Sequence, residues 1–123
     1  MLPITRLYTD QHGHARFEDV EISFAPDNPP PDVMSVSQAL PASAVLFGRG
    51  PTGGSHPQQP EQRRQLIIGV HGTVEVTATG QTRTFGPGDV LLAEDTTGAG
   101  HSSRSSEGFV AAVVLLEPPH VIA

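Results

Sequence analysis

Residues 65–101 read QLIIGVHGTVEVTATGQTRTFGPGDVLLAEDTTGAGH, and their punctuation decides the fold. Leu66, Ile67, Ile68 and Val70 form an apolar run that stops at Gly72. Val74, Val76 and Ala78 alternate with Glu75, Thr77 and Thr79, the period of a strand with one buried face. Gly80 and Gln81 make a tight turn, and residues 82–85 run back from it. Gly86-Pro87-Gly88-Asp89 is a denser turn signal, and Val90 to Ala93 form another buried strand. The polar bend Glu94-Asp95-Thr96-Thr97-Gly98 then delivers His101. No helical period appears. Short strands and turns at this spacing predict an antiparallel barrel or sandwich.

Outward from this stretch the pattern continues. Residues 4–9 read as a short edge strand, and Gln11-His12-Gly13-His14 as a turn. Val20, Ile22 and Phe24 alternate strictly within a strand over residues 15–24. Pro26, Pro29, Pro30 and Pro31 exclude a central strand over residues 25–33, because proline removes ladder donors. That segment reads as an extended surface loop able to pack against a partner subunit. Residues 35–40 are expected as one more edge strand, residues 44–49 as a strand, and residues 57–62 as polar loop. Residues 109–116, rich in Val and Leu, read as a buried closing strand, ended by Pro118-Pro119 and followed by a short tail.

A chain of 123 residues is one domain with room for a single core. Thirteen glycines and twelve prolines with sparse charge suit many strands and turns. A formal charge of −6 gives no electrostatic footprint for nucleic acid or an anionic membrane. No apolar run approaches a membrane span. The N-terminus lacks the charged-then-apolar order of a signal peptide. The lack of cysteine excludes disulfides, thiolate nucleophiles and Cys-ligated metals, and agrees with a cytoplasmic setting.

Gly72 ahead of an alternating strand, then Phe85-Gly86-Pro87-Gly88-Asp89-Val90 and a histidine about a dozen residues on, resembles the cupin family. The stretch from Gly88-Asp89 to His101 is similar to the second cupin motif, and that from His56 to Gly72 to the first. His56-Pro57, Arg64-Gln65 and the Glu94-to-Gly98 bend resemble small single-domain bacterial cupins, most of them uncharacterised. The resemblance runs over residues 5–116. It implies one all-β cupin domain over residues 1–123, a double-stranded β-helix or jelly-roll barrel, and a homodimer in which the N-terminal segment and the terminal strands pair across subunits.

In metal-binding cupins the first motif supplies two histidines and a glutamate, and the second a third histidine. Alternate strand residues point into the barrel, so such ligands converge. Carried over, His56 matches the first histidine and His101 the last, while Gln58 and Gln65 stand at the other two positions. The gap from His56 to Gln65 is longer than the motif allows, which places a bulge or lengthened loop in residues 58–62. Carboxamides are weak ligands, so the resemblance implies either no required cofactor or a weakly held divalent metal on His56, His101 and Gln65.

His101 and His56 are therefore the candidate catalytic residues. Gln65, Arg63, Ile67 and Glu94 are the candidate ligand-binding residues, with Arg63 turned inward by parity with Gln65 to clamp an anion. Glu94 is also a minor general-base candidate. The plainer readings are a rim position for His56, a backbone-capped His101, a satisfied buried amide at Gln65 and a solvated pair at Arg63 and Arg64. His12, His14, His71 and His120 read as surface groups. Facing an apolar cavity, His101 is expected to lose hydration and have a lowered pKa, with a carboxylate such as Glu94 opposing that shift.

Three functions follow. The first is a barrel pocket for a small organic molecule with proton transfer by pocket histidine, of isomerase, lyase or eliminase type. The second is a divalent-metal-dependent, oxygenase-like cupin using His56 and His101. The third is a non-catalytic small-molecule binding module.

Overall fold

Ten strands account for the regular structure of residues 1–118, the residues that the computed structural model describes. Residues 119–123, with His120 and the expected tail, lie outside the described residues. The strands are β1 Leu2–Thr9, β2 Ala15–Ile22, β3 Ala42–Gly50, β4 Gly54–Gln59 and β5 Gln65–Gly72. They continue as β6 Val74–Ala78, β7 Gln81–Phe85, β8 Val90–Ala93, β9 His101–Ser105 and β10 Phe109–Leu116. No helix occurs among the described residues.

Two sheets form. The larger has the order β2-β1-β8-β5-β10-β3, and the smaller β4-β9-β6-β7. Their pairings are antiparallel except for β1 with β8, which run parallel. Leu7, Ala15, Val76, Ala78, Phe85 and Leu91 meet between the sheets, with Phe17, Ile67 and Val74 packed against them. Full burial of a large apolar side chain stabilises by roughly 1.5–3 kcal/mol, so this cluster holds the two sheets together. Gly69 permits a close approach. A methyl there would run into the Gly86 carbonyl of the turn before β8.

Four expectations need correction. Residues 4–9 are no edge: β1 lies between β2 and β8 through a long-range parallel pairing that local sequence cannot display. Residues 35–40 form no strand; the bridge between Ala25 and Val36 and a 2.6 Å bond from Ser35 Oγ to the Pro26 carbonyl tie this arm down. Residues 57–59 are strand rather than loop. They end β4, an edge strand, where Pro57 sits within a bulge and no ladder donor is needed. Finally, the terminal strands are not available to a second chain, because β1 and β10 each have neighbours on both sides.

Candidate functional site

The register of β4 against β9 positions the site. His56 is opposite Ser103 and Gln59 opposite His101, so β4 uses three steps where β9 uses two. Of the roughly three extra residues expected in the long first motif, this bulge takes up one. Gly100 lets β9 start here. Its φ is +71°, and a methyl on it would collide with the Gln59 and Pro60 backbone. The Glu61 amide donates to the Asp95 carbonyl at 3.0 Å, which ties the loop after β4 to the bend before β9.

His101 stands between two carboxylates. Its Nδ1 lies 2.6 Å from Asp95 Oδ2, and its Nε2 lies 3.3 Å from Glu61 Oε1. Asp95 is 0% exposed, while Glu61 is partly exposed. The other Asp95 oxygen is buried with no hydrogen-bond partner among the described residues. Burial pushes the imidazole pKa down, but hydrogen bonds to Asp95 and Glu61, with their charges, push it further up, to about 9. The expectation of a lowered pKa is thus overturned. Two carboxylates outweigh desolvation, and neither of them is Glu94.

His101 lines two spaces at once. Inward is a cavity of about 120 Å³, walled by apolar residues including Ile67, Val74, Phe85, Leu91 and Phe109, with Glu61, Asp89 and Ser103 among its polar members. Outward is an open cleft shared with His56, Gln59, Glu61, Arg63 and Gln65. An apolar void of about 150 Å³ holds a benzene, so the inner space suits a fragment of that order.

The predicted residues distribute as follows. Ile67 faces the inner cavity. His56, Gln65 and Arg63 share the outer cleft with His101, but His56 is exposed and its ring nitrogens face Pro57 O and Gln59 Nε2, both at 3.3 Å. Gln59, rather than Gln58, lines this cleft beside Gln65. Arg63 is no inward anion clamp; it donates to Ser43 Oγ at 2.9 Å and to the Leu116 carbonyl at 3.4 Å. Glu94 turns away from His101. It accepts from Arg6 at 2.7 Å and from Arg64. Burial raises its pKa, but the two arginines lower it further. Asp95 and Glu61 are the site residues that sequence reasoning missed. Asp95 was within reach of strand parity: Leu91 and Ala93 point inward, and the next residue of that face is Asp95. No sequence signal marks Glu61.

The donor set does not fit a resident divalent ion. Both His101 nitrogens face carboxylates, and no group of three His, Cys, Asp or Glu side chains converges to hold a metal among the described residues.

No family model matches the sequence, and no curated protein matches it. Solved structures do match. A cupin superfamily protein from Desulfitobacterium hafniense is 14% identical, with a TM-score of 0.51 over 80% of this chain and 100% of its own. The chain has the cupin fold. An uncharacterized conserved Klebsiella pneumoniae protein with a double-stranded β-helix domain is 19% identical, with a TM-score of 0.50 over 78% of this chain and 87% of its own. A conserved Streptococcus pyogenes protein of unknown function is 14% identical at a TM-score of 0.51. That match takes in 62% of this chain, which spans only 65% of the Streptococcus protein. The likeness carries the barrel and none of its chemistry. Among the described residues, no helix is long and apolar enough to cross a membrane.

Proposed function

We propose that the cavity takes a small, mainly apolar organic molecule and that His101 and Glu61 move a proton on it, in a reaction of isomerase or lyase type. One observation carries this reading: an imidazole held between two carboxylates at the boundary of an apolar cavity. With a pKa of about 9, His101 is charged at neutral pH and is the acid of the pair. Asp95 holds Nδ1–H and so aims Nε2–H toward the cavity mouth. The Glu61 carboxylate is the base. In a carbon acid bearing a carbonyl, Glu61 takes the proton from carbon as the imidazolium Nε2–H bonds to the carbonyl oxygen. The proton then returns from Glu61 to another carbon, or a leaving group departs. The apolar wall strengthens these charge interactions by keeping water out.

The non-catalytic reading also has an observation behind it. Glu61 caps Nε2, so a binding module would keep His101 as a structural buckle.

Solvent deuterium exchange separates the two. A panel of small carbonyl acids is incubated with the protein in D₂O and followed by NMR. Catalysis gives deuterium incorporation at carbon that falls by about 10²–10⁴-fold in Glu61→Gln and in His101→Asn. Ligands that bind the cavity without any exchange in the native protein overturn the proton-transfer reading.

A further inference from the structure

β9 reads His101-Ser102-Ser103-Arg104-Ser105, and the strand period turns His101, Ser103 and Ser105 to one face. Register makes that face the inner one. Ser103 is opposite His56 across β4 and opposite Val76, which is 3% exposed, across β6. Two of the three inward side chains have partners. His101 holds Asp95 and Glu61, and Ser105 Oγ donates to the Thr73 carbonyl at 2.7 Å. Ser103 is half-buried, and its Oγ makes no hydrogen bond among the described residues. Such a hydroxyl keeps its donor and its lone pairs for a ligand.

Ser103 also stands where two spaces meet. Glu61, His101 and Ser103 are the three residues that wall both the inner cavity and the outer cleft. Glu61 and His101 hold each other there. Of the other polar side chains around the inner cavity, Asp89 accepts from the Gly86 amide at 2.8 Å, and His71 is exposed. The two spaces differ in chemistry. The inner one is apolar, while the outer cleft, of about 430 Å³, carries the carboxamides of Gln59, Gln62 and Gln65. The charges of that cleft are engaged within the chain, Arg63 with Ser43 and the Leu116 carbonyl, and Glu61 with His101. Carboxamides donate and accept without charge, which suits a hydroxyl or an amide of a ligand.

We propose that Ser103 is a substrate-binding residue and that the substrate is an amphipathic carbonyl compound lying across this threshold. Its compact apolar group fills the inner cavity, its carbonyl oxygen accepts from Ser103 Oγ, and a neutral part bearing hydroxyl or amide groups lies among the carboxamides. The inner cavity holds only a fragment of the order of benzene, so any polar extension of the molecule has to reach outward past Glu61, His101 and Ser103. The proposal rests on the proton-transfer reading, and it adds a second donor on the oxygen that His101 Nε2–H reaches. Two preorganised donors on one oxygen stabilise the charge that develops there more than one does.

The test uses benzene, acetophenone and benzoylacetamide, which add in turn a carbonyl oxygen and an amide tail to one ring. Dissociation constants are read from NMR chemical-shift titrations of the full chain. They should fall at each step, by about tenfold or more from benzene to benzoylacetamide. Ser103→Ala should raise the constants for acetophenone and benzoylacetamide by about threefold to tenfold. Its constant for benzene should stay at the native value, which shows that the cavity is intact. Gln59→Ala combined with Gln65→Ala should raise the benzoylacetamide constant alone. Equal native affinity for benzene and benzoylacetamide overturns the proposal, and so does a Ser103→Ala protein that binds acetophenone as the native protein does. Binding is read apart from turnover. This order of affinities without deuterium exchange would therefore remove the proton-transfer step and leave the threshold site standing.

Discussion

Asp95 Oδ2 lies 2.6 Å from His101 Nδ1, and the Asp95 side chain has no exposed surface. A buried carboxylate of this kind needs its partner charge. The carboxylate in turn favours the charged form of the imidazole.

Asp95→Asn breaks that pair. It should lower the His101 pKa from about 9 toward the ordinary histidine range. It should also destabilise the fold by about 2–4 kcal/mol, because a charge-assisted hydrogen bond is lost in a buried place. Urea denaturation near pH 7 measures the second effect. An unchanged midpoint would mean that the pair is incidental.

Stability should fall with rising alkalinity. The folded pKa of His101 is raised above the ordinary 6.5 to about 9. Its contribution is therefore fully present below about pH 6.5 and lost as pH rises through about 9. Denaturation curves in the native protein should weaken across that window, and those of Asp95→Asn should be flatter. A native midpoint constant from pH 6 to 10 would contradict this.

Glu94 tests the division of labour in the bend. It is bound by Arg6 and Arg64, away from the cavity. Glu94→Gln should cost about 1 kcal/mol, and deuterium exchange at the substrate should stay at the native rate. Since the folded pKa of Glu94 is lowered, its contribution holds above the unfolded value and is lost as pH falls through the folded one. Loss of exchange in Glu94→Gln would return it to the chemistry.

Much of this arrangement is legible in the sequence. The turn Gly86-Pro87-Gly88-Asp89 and the alternation from Val74 to Ala78 are local signals, and they imply the barrel. The spacing from Gly88-Asp89 to His101 marks the histidine that meets the cavity. Asp95 follows from period two once Leu91 and Ala93 are taken as inward. Glu61 is different. Its approach depends on the β4 bulge and on a backbone bond to Asp95, both set by pairing between distant strands. The parallel partnership of β1 and β8 is likewise invisible to local pattern, which is why residues 4–9 read as an edge.

Gly100 is the backbone position on which this geometry depends. Gly100→Ala meets a left-handed φ of +71° and the Gln59 backbone together. The expected loss is about 2–4 kcal/mol, as strain and clash add. The His101 pKa should fall with it as β9 shifts from the loop carrying Glu61. Thermal denaturation within about 2 °C of the native protein would show that β4 and β9 yield there at no cost.

On this reading His101 is a charged acid clamped by Asp95 and Glu61. Long-range ¹H–¹⁵N correlation spectra of its ring, recorded from about pH 5 to 10.5, test it most directly. Both ring nitrogens should be protonated at pH 7, with a midpoint near 9 and a lower midpoint in Glu61→Gln and in Asp95→Asn. A single neutral tautomer at pH 7, with a midpoint below 6.5, would contradict it.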